Sequence, residues 1–156
     1  MIDAIDRKIL NILRNNARVP NAEIARTIGM APSAVLERIR KLERRGVIER
    51  YEARIDPKAT GLGLTAYTFV HVEEGVGTLD TGQKLAALPE VLETHYTAGQ
   101  AAYLIKVRVA DTEALAEFLQ RIGKIPGVRD TNSTIVLRTI KETASIPLSA
   151  PPEDND

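Results

Sequence analysis

The sequence contains no cysteine and no tryptophan among its 156 residues. Without cysteine the chain has no disulfide, no thiolate metal site and no cysteine nucleophile. No apolar run approaches the roughly 20 residues that a membrane-spanning helix needs, and the first residues lack the charged-then-apolar pattern of a secretory signal. These absences favour a cytoplasmic protein that does not enter a membrane.

Charge is balanced overall but unevenly distributed along the chain. The whole sequence has 21 basic and 21 acidic residues. Residues 1–54 hold twelve Arg and Lys against seven Asp and Glu, a net charge of +5. Residues 55–156 hold nine against fourteen, a net charge of −5. A basic first segment and an acidic remainder predict two modules with different partners.

The basic segment has the apolar periodicity of three short helices. Asp3 is well placed to cap the first helix. The second is expected to start at Asn21, another good capping residue, and to end at Gly29, which suits the left-handed conformation that ends helices. Pro32 suits the first position of the third helix, and Gly46 ends it. Two helices joined by a short glycine turn predict a helix-turn-helix.

The pattern changes after the third helix. The alternating stretch "VIERYEARI" over residues 47–55 predicts a strand that forms a wing. From Leu64 the period is that of strands, and the order of elements reads βαββαβ, with strands over residues 64–72, 91–97, 102–109 and 128–140. Helices are expected over about residues 78–87 and directly after Asp111, which caps the second of them.

The expected fold class is therefore α+β, with an N-terminal winged helix-turn-helix and a C-terminal ferredoxin-like βαββαβ sandwich. Helices cover only one face of such a sheet, so the other face needs burial, which predicts self-association. The expected domains are a helix-turn-helix at 1–50, a wing or linker at 51–63, an oligomerisation and effector-sensing domain at 64–148 and a disordered, proline-rich tail at 149–156.

The third helix presents a basic surface opposite its apolar stripe. The major groove of duplex DNA admits one α-helix, and the second helix of a helix-turn-helix has that role, its N-terminal residues lying nearest the bases. An isolated basic helix is more often a solvated face. The capped three-helix frame within a segment of net charge +5 favours DNA. Ser33, Ala34, Glu37 and Arg38 are the candidates for base edges, and Arg40, Lys41 and Arg44 are better placed for phosphates.

Several motifs carry a family resemblance. The first half contains "IDRKIL", "EIARTIG", "PSAVLERIRKLERRGVI" and "DPKATGLG", and the second contains "LPEV", "YLIKVRV" and "IPGVRDTNSTIVL". Over about residues 2–148 the sequence resembles the leucine-responsive regulatory protein/AsnC family of bacterial and archaeal transcription regulators. That resemblance implies double-stranded DNA as a partner, dimers that assemble further, commonly to octamers, and an amino-acid effector bound between dimers, with no other cofactor.

Two positions depart from the pattern of this family. Ala31 stands where Ser or Thr usually precedes the proline, and an alanine in a capping position costs about 1 kcal/mol, so weaker docking is expected. The loop "AGQAA" (residues 98–102) has Gln100 and Ala102 where the family typically has carboxylates. An α-ammonium group needs acceptors to replace its water. The loop therefore binds a different effector, binds a weaker one, or is only a tight turn.

If a ligand binds, the expected participants are Thr97, Gly99 and Gln100, with Thr131, Ser133 and Thr134 as weaker candidates. The sequence shows no metal-ligand spacing and no nucleophile–base pair or paired carboxylates, so neither a metal site nor an enzyme is expected. Two rival functions stay open. One is a DNA-organising protein that needs no effector, and the other is an enzyme subunit or adaptor whose helix-turn-helix binds protein.

Overall fold

The computed structural model describes residues 2–148, so the expected tail at 149–156 lies outside the described residues. The chain forms two compact units. One, the helical unit, combines residues up to Arg54 with the segment from Lys141, and the other, the sheet unit, comprises Ile55–Ile140. An ion pair of 2.8 Å between Arg54 and Glu142 joins the two stretches of the helical unit.

The helical unit contains three helices, α1 (Ala4–Asn15), α2 (Asn21–Ile28) and α3 (Pro32–Arg44). As predicted, Asp3 caps α1, and it forms a reciprocal capping box with Asp6. Gly29 adopts the expected left-handed conformation after α2, with φ of 73°. The unit's core consists of fully or nearly fully buried side chains from all three helices: Ile9, Leu13, Ile24, Ala25, Val35 and Ile39.

The predicted cap of α2 is wrong by one residue. Asn21 is the first helical residue, and Pro20 occupies the capping position without a side-chain hydrogen bond. The reason is that the carbonyl of Pro20 already accepts the helical bonds from Glu23 and Ile24, at 3.0 and 3.1 Å. Asn21 therefore lies inside the helix.

The predicted wing strand is also wrong. Residues 47–56 form neither strand nor helix. A strand needs a neighbouring strand to satisfy its backbone groups, and no other strand lies among the described residues of the helical unit. Alternation alone therefore predicted an element that has no pairing partner in this unit.

The sheet unit confirms the βαββαβ order. Its elements are β1 (Leu64–Val72), α4 (Asp80–Ala86), β2 (Val91–Tyr96), β3 (Tyr103–Val109), α5 (Thr112–Gly123) and β4 (Val128–Ile135). The strands form one antiparallel sheet in the order β2-β3-β1-β4. The last strand was expected over residues 128–140 but ends at Ile135, opposite Ala66. Since β1 begins only two residues before Ala66, at Leu64, it offers residues 138–140 no pairing partner.

One face of this sheet packs on α4 and α5 and forms the second core. Buried side chains from the strands and both helices fill it, with Tyr103 and Phe118 the largest. The opposite face carries the rings of Tyr67 and Phe69, which are 37 % and 41 % exposed. An uncovered sheet face with aromatic side chains is the surface that the sequence expected to be buried by self-association. Within residues 2–148, no helix is both long and apolar enough to cross a membrane.

Candidate DNA-binding surface and effector groove

Helix α3 is held by one buried stripe and exposes the opposite one. Val35, Ile39 and Leu42 are buried on the inner side. The structure brings most of the predicted DNA-binding side chains to the outer side: Ser33, Glu37, Arg40, Lys41 and Arg44 are exposed, while Ala34 and Arg38 are partly buried. Ala31 occupies the capping position before Pro32 and supplies no side-chain hydrogen bond, as expected of an alanine.

Arg40 and Lys41 are the uncommitted cations of this surface. Both are exposed. The described ion pairs of α3 use Arg38 and Arg44, and within residues 2–148 no ion pair involves Arg40 or Lys41. Cations that are exposed and unpaired are available to an anionic partner such as a DNA phosphate.

Glu37 and Arg44 form an ion pair with each other on the same surface. Their side chains lie 2.8 Å apart and are both more than half exposed. The hydrogen bond from Arg44 lowers the pKa of Glu37, and the charges of Arg40 and Lys41 lower it further. Glu37 is therefore a carboxylate that sits among three cations, where it can accept a hydrogen bond from a base edge.

Arg38, one of the predicted candidates for base edges, forms two ion pairs within the protein. One guanidinium nitrogen, Nη1, lies 2.7 Å from Asp3 Oδ2 and 2.8 Å from Asp6 Oδ1. The hydrogen bonds to Asp3 and then Asp6 raise the pKa of Arg38. The sequence pattern identified Asp3 as the cap of α1, and nothing in the spacing of Asp3 and Asp6 indicated a partner 32 to 35 residues away.

In the sheet unit, the loop between β2 and β3 is closed by two hydrogen bonds from Thr97. Its backbone N–H donates to the carbonyl of Ala102 at 2.8 Å. Its hydroxyl donates to the carbonyl of Ala101 at 2.7 Å. These bonds hold the "AGQAA" stretch as a short turn at the sheet edge.

This loop borders an open groove of about 290 Å³. The predicted participants Thr97, Gly99 and Gln100 all line it, and so do Ala98, Ala101, Phe69, His71 and Asn132. No carboxylate is among these lining side chains. One described acid lies beside the lining: Asp130, whose Oδ1 is 3.7 Å from Nε2 of His71.

A second depression that also borders this loop contains Glu74, whose carboxylate is hydrogen-bonded within the protein. Oε1 accepts from the backbone and hydroxyl of Thr81. Oε2 lies 3.4 Å from the hydroxyl of Tyr103, which is closer, at 3.1 Å, to the carbonyl of Thr78. Glu74 therefore links the segment after β1 to α4 and lies beside Tyr103 of β3.

The three weaker candidates on β4 lie outside the lining of the groove. The hydroxyls of Ser133 and Thr68 lie 2.8 Å apart, and Thr131 pairs with Val70, whose side chain is buried in the core. Thr134 is opposite Tyr67 on the uncovered face. The sequence reasoning missed Asn132, which lies between Thr131 and Ser133. The two-residue period of a strand could have identified it as facing the groove side.

Potential metal ligands are scattered over the part of the chain that the structure describes. Among the described residues, no three His, Asp or Glu side chains are close enough to share a metal ion. His71 and His95 lie on β1 and β2, which β3 separates.

Known proteins match both units. Residues 2–43 match the AsnC-type helix-turn-helix domain, and residues 65–146 match the Lrp/AsnC ligand binding domain. The chain is 42 % identical over 147 residues to the HTH-type transcriptional regulator FL11 of Pyrococcus horikoshii, covering 94 % of this chain and 97 % of the relative.

Two solved structures are similar over nearly their whole length. One is a transcriptional regulator from Neisseria meningitidis in complex with L-methionine, with a TM-score of 0.88, 32 % identity and coverage of 94 % of this chain and 97 % of that one. The other is a feast or famine regulatory protein from Mycobacterium tuberculosis, also complexed with L-methionine. Its TM-score is 0.86 at 37 % identity, covering 92 % of this chain and 97 % of that one.

Proposed function

Because this chain belongs to the Lrp/AsnC family of transcriptional regulators, we propose that α3 reads duplex DNA in the major groove and that a small molecule in the loop groove modulates the binding. The observation that carries the DNA proposal is the pair Arg40 and Lys41. They are exposed on the side of α3 opposite its core stripe, and no ion pair among the described residues uses them.

We assign the roles on α3 by position. Ser33, Ala34 and Glu37, in the half nearest the helix start, face the bases. The later residues Arg40, Lys41 and Arg44 bind phosphates, with Arg44 leaving Glu37 to do so. Arg38 has a different role, because two carboxylates already occupy its guanidinium.

We propose that the protein acts as a dimer, or a larger assembly such as an octamer, of identical chains. The uncovered sheet face with Tyr67 and Phe69 supports this proposal, since exposed aromatic side chains gain free energy on burial. Pairs of helical units then read two half-sites about one helical turn, or a multiple of it, apart.

The effector of this chain is proposed to be an amino acid or a related small carboxylate, bound by Thr97, Gly99 and Gln100. Relatives bind L-methionine. In this groove a carboxylate meets the amide side chains of Gln100 and Asn132, whereas an ammonium group finds only neutral acceptors among the lining side chains. The ring of Phe69 offers an apolar contact for the remainder of such a ligand.

A thermal-shift screen tests the effector proposal. The screen pairs each amino acid with the 2-oxo acid that has the same side chain. A ligand at a hundredfold excess over Kd stabilises the folded state by about 2.7 kcal/mol. A shift with one compound identifies the effector, and Gln100→Ala should reduce it. The absence of a shift with every compound would show that the regulator works without an effector of this class.

We also propose that the protein works in the cytoplasm, beside its DNA, and that it has no catalytic activity. Its relative from Pyrococcus horikoshii is a transcriptional regulator, and regulation of this kind needs binding alone.

A nuclease footprint on DNA upstream of the protein's own gene and neighbouring genes tests the DNA proposal. The expected result is discrete protected half-sites about one helical turn apart. Continuous protection without sequence preference would instead favour a DNA-organising role, and no protection at moderate salt would favour a protein partner.

A further inference from the structure

Helix α3 is attached to the start of α1 by a charged contact that the DNA-binding proposal does not use. We propose that Arg38 is a positioning residue for DNA recognition: by binding Asp3 and Asp6 it fixes the base-facing half of α3. This inference rests on the proposed DNA-binding function.

The contact is compact and partly shielded from water. Nη1 of Arg38 lies within 2.8 Å of one oxygen from each acid. The side chain of Asp6 is only 11 % exposed and that of Arg38 is 30 % exposed, whereas that of Asp3 is 53 % exposed. A charge-assisted bond of this kind is stronger than a neutral one, and the burial of Asp6 limits the screening of the Arg38–Asp6 pair by salt.

The same two acids also define where α1 begins. Asp3 Oδ1 accepts from the backbone N–H of Asp6 at 2.7 Å. The backbone N–H of Asp3 donates to Asp6 Oδ2 at 3.4 Å. Each carboxylate thus uses one oxygen for the capping box and the other for Arg38. A movement of α3 at this point must disturb the cap of α1.

The attachment lies next to the residues that are proposed to meet the bases. Arg38 directly follows Glu37 and stands one helical turn after Ala34. Since Ala31 supplies no side-chain cap, the N-terminal half of α3 lacks the local bond that usually orders a helix start. The contact with α1 supplies that order from a distance.

If Arg38 positions α3, neutralising Asp3 and Asp6 should change DNA affinity in the opposite direction from that expected if Arg38 contacts DNA directly. A guanidinium already neutralised by two carboxylates releases no counterion when DNA binds. Removing the negative charge of Asp3 and Asp6 should tighten DNA binding if only electrostatics matter. If the acids position α3 through Arg38, their removal should instead weaken binding to the operator.

The experiment compares full-length variants on two duplexes, the footprinted half-site pair and a scrambled sequence of equal length. The variants are Arg38→Gln, the double change Asp3→Asn with Asp6→Asn, and the combination of all three. Asparagine caps helices as well as aspartate does, so the double variant keeps α1 folded, which circular dichroism at the assay temperature verifies. The matched control, Glu23→Gln with Glu49→Gln, removes two exposed carboxylates that form no ion pair among the described residues.

In Arg38→Gln and in the Asp3 and Asp6 variant, the ratio of affinity for the operator to affinity for the scrambled duplex should fall several-fold. The variant that combines all three changes should show no further fall. The salt dependence of DNA binding should be unchanged in Arg38→Gln. The control variant should bind both duplexes slightly more tightly. Tighter binding by the Asp3 and Asp6 variant, as in the control, would overturn the proposal. So would a salt slope reduced by about 0.9 in Arg38→Gln, because a change of that size means that the parent arginine neutralises one phosphate.

Thermal unfolding separates failure of this proposal from failure of the DNA function. If no duplex is bound at any salt concentration, the proposed function fails. The contact between Arg38 and the two acids is then tested by the midpoints of thermal unfolding. If the midpoint falls no further in the combined variant than in Arg38→Gln or the acid variant alone, the contact is supported. If the two decreases add up in the combined variant, the contact is contradicted.

Discussion

Helices α3 and α4 show how differently the two units use their surfaces. α3 buries a single stripe, starts without a side-chain cap and leaves its outer face to charged side chains. α4 has only seven residues, and three of them, Thr81, Gly82 and Leu85, are buried against the sheet unit. The helical unit therefore leaves room for a partner, whereas this part of the sheet unit leaves little room even for a methyl group.

The largest expected effect tests the tight side of this comparison. A Cβ added at Gly82 would lie 2.4 Å from Cε1 of the buried Tyr103. Gly82→Ala should therefore destabilise the protein by about 1–3 kcal/mol, because a well-packed core resists an added methyl group. Urea unfolding measures the change.

The matched control is Gly123→Ala at the end of α5, where an added Cβ meets no atom within 4 Å. This change should be neutral or should stabilise the protein by about 0.4–1 kcal/mol. If the two glycine variants unfold alike, the sheet unit is not as tightly packed around α4 as the structure indicates.

The next effect concerns the uncapped start of α3 in the helical unit. Ala31→Ser supplies the missing cap of α3 and should stabilise the helical unit by about 1 kcal/mol. Thermal unfolding of the variant measures it. Ala116→Ser, at an exposed site inside α5, serves as the control and should lose less than about 0.7 kcal/mol, since serine is a poorer helix former. An equal change in both variants would show that the start of α3 does not need a cap.

A smaller effect concerns the balance of charge on α3. Glu37→Gln removes the carboxylate that holds Arg44, so the variant should bind a scrambled duplex a few-fold more tightly and discriminate the operator less well. Fluorescence anisotropy on both duplexes measures this. Glu49→Gln, an exposed acid after α3, is the control. If Glu37→Gln instead binds both duplexes more weakly, Glu37 positions the cations of α3 for DNA binding and does not hold Arg44 back from it.

The smallest effect concerns Tyr51, which follows α3. Burial, and then the hydrogen bond that its hydroxyl donates to Glu43 at 2.9 Å, raise the pKa of Tyr51 to about 12. The folded pKa is above the unfolded value, so this stabilisation is present below about pH 10 and is lost as the pH rises towards 12. The gain is small because the residue is half exposed. In an ultraviolet titration, the phenolate step that disappears in Tyr51→Phe should lie well above pH 10. If the step that disappears lies near pH 10, the result would contradict the hydrogen bond to Glu43.

The sequence predicted features that are encoded locally. Apolar spacing identified all three helices of the helical unit and the βαββαβ order, and Asp3, Gly29 and Asp111 were correctly placed at helix ends. These features depend on residues within one or two turns of each other. Two features were misplaced. The wing strand depends on a partner strand, and the cap of α2 depends on which carbonyl accepts the first helical hydrogen bond.

Contacts between distant residues could not be predicted from spacing. Arg38 has the same pattern as a DNA-contacting arginine, and only the fold shows Asp3 and Asp6 beside it. Gly82 looks like a poor helix residue until Tyr103 is seen packed against it. At the groove, the loop residues were predicted because the loop resembles a characteristic stretch of the family, whereas Phe69 and Asn132 come from other strands.

The salt dependence of DNA binding tests most directly whether Arg40 and Lys41 bind phosphates. The measurement compares the parent protein with Arg40→Ala combined with Lys41→Ala, and with Lys84→Ala combined with Lys124→Ala, which removes two exposed cations of the sheet unit. The α3 variant should lower the slope of log K against log salt by about 0.9 for each phosphate that it no longer neutralises, and the sheet-unit variant should leave the slope unchanged. Equal slopes in all three proteins would contradict the proposed role of α3.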